Sequence, residues 1–131
     1  MSADGFTFEP IGFVESDIKE SRHDPAVFEG TVARVRVLPR FADGLFRIEG
    51  FERLYMIYLF DRSHGFEMII HPRGDVSRPQ RGVFATHSPN RPNPVGLTVV
   101  ELLGVEGPVL TVRGLDAIDG TPVIDIKPCD G

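Results

Sequence analysis

The sequence contains neither the cysteines of a disulfide-stabilised protein nor a hydrophobic run long enough to span a membrane. Cys129 is the single cysteine among 131 residues, so no disulfide can form within the chain. The longest uninterrupted apolar run, residues 54–60, has seven residues, whereas a membrane-spanning helix needs about 20. The first residues include several carboxylates and lack the basic start and apolar stretch of a secretory signal. We therefore expect a soluble, cytoplasmic protein with no membrane partner.

Metal sites and the common nucleotide-binding fingerprint are also missing. No Gly-x-Gly-x-x-Gly occurs and strands do not alternate with helices, which excludes a doubly wound fold of parallel strands. Cys129 has no histidine beside it, which argues against covalent catalysis. The histidines show no paired spacing, so we expect no bound metal. They are His23, His64, His71 and His87.

Glycine and proline are abundant, with 14 and 11 residues spaced in ones and twos. Chain reversals should therefore be frequent and long helices few. The clearest strand is 31–38, where Ala33, Val35 and Val37 alternate with arginines at the period of a half-buried strand. Other short β-branched runs predict strands at 69–70, 83–86, 94–103, 109–112 and 121–126. The sequence thus predicts a mostly β fold, a single small β-barrel that occupies residues 1–131 as one domain.

Two segments are expected to differ from these short, half-buried strands. One or two short helical turns are predicted after Asp43, the candidate N-cap, where apolar residues recur at three-residue spacing: Leu45, Ile48, Phe51 and Leu54. Residues 54–60 are apolar on both faces, which predicts a central strand buried on each side. Residues 61–66 are expected to form a loop.

Charge is unevenly distributed along the chain. The formal total of −5 argues by itself against RNA, because neutralising phosphates supplies most of the affinity for nucleic acids. Residues 1–30 hold seven acids and two bases, and residues 101–131 hold six acids and two bases, whereas residues 31–100 hold ten bases and six acids. Twelve of the fourteen bases are arginine, whose planar guanidinium matches phosphate oxygens. The basic middle segment either keeps the surface soluble or meets phosphates.

Residues 84–97, here called the proline motif, carry Pro89, Pro92 and Pro94 within six positions. Proline fixes φ and pushes the preceding residue towards an extended conformation, so polar side chains between the prolines are presented from a stiff loop. Such a loop loses less entropy when a ligand binds, which favours a binding site. The alternative is an ordinary proline-rich turn between two strands. The side chains so presented are Ser88, Arg91 and Asn93.

Residues 114–128, here called the aspartate motif, combine a turn signal with a charged strand. Asp119 and Gly120 predict the turn. In the strand that follows, Asp125 and Lys127 are expected to share a face with Val123, opposite two isoleucines. The aspartate and the lysine either form a surface ion pair worth less than about 1 kcal/mol or, if buried, orient a substrate.

Both motifs resemble the signature stretches of the TsaA/TrmO family, since residues 86–97 read THSPNRPNPVGL and residues 115–128 read LDAIDGTPVIDIKP. Residues 10–16 (PIGFVES) and 44–51 (GLFRIEGF) match the family pattern as well. The resemblance implies a small β-barrel that forms a homodimer, binds S-adenosyl-L-methionine near the subunit interface and uses tRNA as its substrate. The implied reaction is methylation of the N6 nitrogen of threonylcarbamoyladenosine beside the anticodon.

Carried over position by position, the resemblance implies contacts to the methyl donor from Pro25, Ala26, Val27, Asp61, Arg62, His87, Leu97, Asp116, Ala117, Ile118 and Asp119. Arg91, Asn93 and Lys127 are expected to bind the substrate. Four positions depart from the family pattern, which more often has a glutamine-containing stretch near Val27, a histidine-like residue near Asp61, arginine in place of His87 and tyrosine in place of Cys129.

The chemistry of the implied reaction assigns further roles. The positive sulfonium and the ribose hydroxyls of the donor favour carboxylates, and Asp116 and Asp119 meet that need. The acceptor nitrogen must lose a proton, so a proton acceptor is required within hydrogen-bond distance, and Asp119 or His87 is the candidate catalytic residue. Arg62 or Arg91 would hold the carboxylate of the modified base. The expected result is a single face that carries the bases between positions 73 and 91, beside Asp116 and Asp119: Arg73, Arg78, Arg81 and Arg91.

Two other functions remain open at this point. The first alternative is a non-catalytic module that binds S-adenosyl-L-methionine or RNA. The second is a methyltransferase that acts on a small molecule. His87 has the further alternative of being an ordinary loop residue.

Overall fold

The structure is a computed structural model that describes residues 5–19, 30–61 and 65–129, and in these residues it shows a closed β-barrel of six strands. In chain order the strands of the described residues are β1 (Gly12–Glu15), β2 (Val32–Val37), β3 (Arg53–Leu59), β4 (Ile69–Ile70), β5 (Arg81–Gly82), β6 (Val95–Glu106), β7 (Val109–Arg113) and β8 (Pro122–Pro128). Around the barrel the order is β1, β2, β7, β6, β3, β8, with antiparallel pairs, and β8 closes on β1. Strands β4 and β5 form a separate two-stranded sheet. The predicted mostly β fold and small barrel are confirmed.

Alternate residues of the barrel strands fill its interior. On β2, Ala33, Val35 and Val37 are buried and the intervening Arg34 and Arg36 are exposed, as the period-two spacing predicts. Burying a valine or leucine contributes about 1.5–3 kcal/mol, so the interior is the main source of the barrel's stability. The other strands contribute Val14, Leu54, Met56, Tyr58, Val100, Leu110, Val112 and Val123 to the same core.

Strand β3 is central, as predicted, but it is not buried on both faces. It pairs with β6 on one side and β8 on the other. Its inner residues Leu54, Met56 and Tyr58 are fully buried, whereas Tyr55 and Ile57 on the outer face are half-buried. The difference arises because a barrel wall has one inner face, and the outer face of β3 stays partly exposed.

The predicted helical turns are present as tight 3₁₀ helices. Ile48–Gly50 lies within the predicted segment, whereas Pro39–Leu45 begins before it, at a proline whose missing N–H costs nothing at that position. Asp43 lies inside the helix Pro39–Leu45 and does not cap it, and Leu54 belongs to β3. No helix in the described part of the chain has the length and apolar composition needed to cross a membrane.

The strand predicted at residues 83–86 is wrong, because Val83–Ala85 forms a 3₁₀ turn, as Pro72–Gly74 does before it. The Thr86 N–H and Oγ1 both donate to the carbonyl oxygen of Val83, at 3.1 and 2.8 Å. This local side-chain bond to the backbone overrides the β propensity of the segment.

A bulge in β8 corrects the predicted faces of the aspartate motif. Asp125 pairs with Ile57 of β3, and Val123 pairs with Tyr58, so Ile124 is an extra residue in the ladder. Val123 therefore lies in the core, and the expectation that it shares the face of Asp125 and Lys127 is wrong. Lys127 is exposed outside the barrel, and its Nζ lies 3.2 Å from Asp125 Oδ2.

Candidate functional site

Tyr58 connects the two motifs inside the barrel wall. Its hydroxyl donates to the carbonyl oxygen of Asp116 at 2.8 Å and lies 2.6 Å from Thr98 Oγ1. The phenol has one proton, and the carbonyl can only accept, so the Thr98 hydroxyl donates to the phenol oxygen. Thr98 follows the proline motif on β6, and Asp116 lies in the aspartate motif. One buried side chain thus fixes the position of both motifs.

Gly96 makes room for this tyrosine. It pairs with Tyr58 across β3 and β6, and a Cβ placed on it would lie 2.7 Å from Tyr58 Cζ. That separation is far inside van der Waals contact, so only glycine fits without moving the ring. Phe60 packs edge-on against the same ring, with centroids 5.5 Å apart, and its N–H donates to the Pro94 carbonyl at 2.7 Å.

Burial raises the pKa of Tyr58 from 10.0 to about 12, against a smaller lowering by the Thr98 hydrogen bond. We expect the free energy of unfolding to fall as the pH rises from about 10 to about 12, because the unfolded chain releases a proton there that the folded barrel keeps. A difference of about two pKa units corresponds to about 2–3 kcal/mol. Urea unfolding across this range measures the decline. An equal decline in Tyr58→Phe contradicts the prediction.

The proline motif is held by its own side chains. Arg91 is half-buried, and its Nη1 donates to the carbonyl oxygens of Thr86 and Ser88, both at 3.0 Å. The Asn90 N–H donates to Ser88 Oγ at 3.1 Å. Arg91, predicted to bind substrate, therefore also stiffens its loop. Asn93 is exposed.

The aspartate motif lies against β1 and the start of β2. Backbone N–H groups of Gly114, Asp119 and Gly120 donate to the carbonyl oxygens of residues 31, 18 and 14, at 2.7–3.0 Å. The side chains of Leu115 and Ala117 point into the core. Ala117 can therefore contact a donor only through its backbone.

Asp119 is engaged by the segment that follows β1. Its Oδ1 accepts from the Ser16 N–H at 2.9 Å, and its Oδ2 lies 2.8 Å from Lys19 Nζ. Both carboxylate oxygens therefore bind donors of the protein itself. This arrangement favours a role for Asp119 in positioning the neighbouring segment over a role as proton acceptor.

A polar groove of about 380 Å³ opens beside Asp119. Its rim carries three carboxylates and three cationic side chains, of which Glu15 and Arg36 approach within 3.3 Å. Its volume lies in the range of small-molecule sites. The charged residues of the lining are Glu15, Asp17, Asp119, Lys19, Arg34 and Arg36.

The remaining predicted site residues are dispersed. Asp61 and His87 are exposed, after β3 and within the proline motif, and Leu97 points outward from β6 with 59% of its surface exposed. Within one chain, none of these three residues is among those that line the groove. Predicted contacts at 25–27 and at Arg62 lie outside the described residues.

The predicted gathering of arginines stays a prediction. Arg78 Nε lies 3.5 Å from Asp75 Oδ2 in its own loop, and Arg91 binds within the proline motif. Arg81 is exposed on β5. Among the residues that the structure describes, no group of three or more histidine, cysteine or acidic side chains is arranged to hold a metal ion.

Tyr58 and Thr98 were not identified from the sequence. A usable signal exists, since Tyr58 is a polar residue in phase with the buried Leu54 and Met56. A buried tyrosine in such a phase requires a partner for its hydroxyl.

Comparison with known proteins places both motifs in one family. Residues 14–129 match the family described as tRNA-methyltransferase O N-terminal domain. The chain is 43% identical over 121 residues to an S-adenosyl-L-methionine-binding protein of Archaeoglobus fulgidus, an alignment that covers 91% of this chain and 86% of that protein. It is 33% identical over 134 residues to a tRNA (adenine(37)-N6)-methyltransferase of Escherichia coli, covering 94% of this chain and 57% of that enzyme.

The fold gives the same result. The crystal structure of TrmO from Pseudomonas aeruginosa matches with a TM-score of 0.75 at 31% identity, covering 95% of this chain and 56% of that one. The chain thus spans little more than half the length of the E. coli and P. aeruginosa proteins. Because sequence, motifs and barrel agree over nearly its whole length, the chain belongs to the TrmO family, in the part that corresponds to the N-terminal domain.

Proposed function

We propose that this chain is an S-adenosyl-L-methionine-dependent methyltransferase that modifies N6 of the adenosine beside the anticodon of tRNA, with threonylcarbamoyladenosine as the acceptor. The hydrogen-bonded unit of Tyr58, Thr98 and Asp116 carries the proposal, because it connects the aspartate motif to β6 directly after the proline motif. The names of the relatives support the cofactor and the tRNA.

The groove beside Asp119 fits the methionine part of the donor. That part is zwitterionic, with an ammonium, a carboxylate and a sulfonium, and the groove offers three carboxylates and three cations. When bound, S-adenosyl-L-methionine supplies an activated methyl group. We propose that Glu15, Asp17 and Asp119 would hold the positive groups, and that Arg34 would hold the carboxylate.

The acceptor nitrogen needs a group that removes its proton. Asp119 and His87 are the two candidates, and they differ in how they are held. Asp119 already accepts from Ser16 and Lys19, whereas His87 is exposed on the stiffened proline motif. Arg91 retains its second terminal nitrogen, Nη2, for the carboxylate of the modified base, because the bonds to its own loop use Nη1.

Nucleoside mass spectrometry tests the reaction. The protein is incubated with S-adenosyl-L-methionine and unfractionated tRNA, and the RNA is digested and weighed. A gain of one methyl group on threonylcarbamoyladenosine is the expected result. A gain on unmodified adenosine would correct the acceptor, and binding of donor without any gain would support the non-catalytic alternative.

We also propose a homodimer that covers the outer face of β6. Leu97 and Val99 are 59% and 44% exposed there, and they pair with Ile57 and Tyr55 on β3. A contiguous exposed apolar surface commonly marks a protein interface. Since Leu97 is also an implied donor contact, a second copy on this face would bring the dispersed site residues closer together.

Leu97→Asp is expected to convert the dimer into a monomer, because a carboxylate on this face would be buried without a partner. Light scattering measures the mass. Val76→Asp is the matched control, since Val76 is more exposed and lies outside the barrel strands. A monomeric wild-type protein, or a control that dissociates equally, would contradict the interface.

A further inference from the structure

Phe84 presents an apolar ring to solvent at the start of the proline motif. It is the middle residue of the 3₁₀ turn Val83–Ala85, and 75% of its surface is exposed, whereas Val83 before it is buried. Thr86 closes the turn with two hydrogen bonds to the Val83 carbonyl. The ring is therefore held outward by an ordered backbone, three residues before His87.

Arg81 lies three residues before Phe84, on a short, paired strand. Ile70 pairs with Arg81 and Ile69 pairs with Gly82, and the Val83 N–H donates to the Met68 carbonyl at 2.8 Å. Arg81 is exposed, and within the described residues its guanidinium has no ion-pair partner. In contrast to Arg78 and Arg91, it is available to an anion from outside the chain.

The charge of this region favours an anionic partner. Residues 65–94 hold four arginines and two acids, in a chain whose formal charge is −5. Unpaired nucleotides are bound by exposed aromatic rings that stack on bases and by cations that meet phosphates. Phe84 supplies an aromatic ring at the start of the proline motif, and Arg81 supplies a cation three residues before it. The same motif is expected to hold the acceptor.

We propose that Phe84 stacks on an unpaired base of the RNA next to the acceptor adenosine, and that Arg81 meets a phosphate of the same strand. This assignment rests on the proposed tRNA substrate. It places the RNA on the β4–β5 sheet and the proline motif, whose residues are not among those that line the donor groove.

The test measures the affinity of an anticodon stem–loop RNA, with adenosine next to the anticodon, by fluorescence anisotropy. Phe84→Ala is expected to weaken binding about tenfold, the loss typical of one stacked base, and Phe84→Trp to restore it. Phe46→Ala is the matched control, because Phe46 is 81% exposed after a different 3₁₀ helix. Its affinity should equal that of the wild type, and all variants should bind S-adenosyl-L-methionine equally by calorimetry.

The salt dependence separates the arginine from the ring. Affinity for RNA falls as salt rises, and Arg81→Gln should make this fall shallower, with the slope of log affinity against log salt smaller in magnitude by about 0.7. Phe84→Ala should leave the slope unchanged. If the wild type binds no RNA, the proposed function fails together with this inference. If the wild type binds and Phe84→Ala binds equally well, or Phe46→Ala is equally weakened, only this inference is overturned. A change from dimer to monomer in Phe84→Ala would assign the ring to a second copy and overturn it too.

Discussion

Gly96→Ala is expected to destabilise the barrel by about 1–3 kcal/mol, the usual range for overpacking a filled core. The added methyl group would overlap the Tyr58 ring, which is fully buried and cannot swing away. Moving the ring would also displace its hydroxyl from the Asp116 carbonyl, so the affinity for the methyl donor should fall with the stability. Urea unfolding and calorimetry measure the two quantities.

Gly104→Ala is the matched control on the same strand. A Cβ at Gly104 meets no atom within 4 Å, so its effect on the unfolding free energy should stay within about 0.5 kcal/mol. If both substitutions cost the same, loss of glycine from β6 is the cause, and the close approach to Tyr58 is not.

Tyr58→Phe is expected to lower the unfolding free energy by about 1–3 kcal/mol, because it removes the hydrogen bonds that the phenol makes to the Asp116 carbonyl and to the Thr98 hydroxyl inside the barrel wall. The ring remains, so the core stays filled. We expect the affinity for the methyl donor to fall as well, since the Asp116 carbonyl loses its hydrogen bond to Tyr58. Chemical denaturation and donor titration of the same samples measure both effects.

Thr98→Val separates the two bonds of the phenol. This variant removes one partner and keeps the bond from Tyr58 to Asp116, so it should reduce stability and leave donor affinity close to that of the wild type. Tyr55→Phe removes a hydroxyl on the outer face of the same strand and controls for the loss of a phenol. If Thr98→Val reduces donor affinity as much as Tyr58→Phe, the Asp116 carbonyl is not the connection.

The barrel was predictable because the alternation of apolar and polar side chains along a strand can be read from consecutive residues. Ala33, Val35 and Val37 alternate with exposed arginines on β2, and short strands between glycines and prolines leave few alternatives to a closed sheet. The bulge at Ile124 was not predictable, since an extra residue in one strand depends on the register of its neighbour. The turn at Val83–Ala85 was not predicted, because it depends on a single hydrogen bond from the Thr86 hydroxyl to the Val83 carbonyl.

The sequence indicated two motifs, but the contact between them was not predictable. Tyr58 is separated by 40 residues from Thr98 and by 58 from Asp116, so no local pattern links the three. The engagement of Asp119 by Ser16 and Lys19 likewise spans about a hundred positions. Such contacts become visible only once the fold brings the ends of the chain together.

Closure of the barrel has a consequence for folding kinetics. Strand β1 pairs with β8 only through Gly12 with Val123 and Phe13 with Pro122, and this seam joins segments more than a hundred residues apart. Contacts of such long sequence separation form late and slowly, because the chain must lose the entropy of a large loop first. The aspartate motif bonds to β1 at the same seam, through Val14. We therefore expect a refolding chain to acquire donor binding only in its slowest phase, after most of the β-sheet signal has returned.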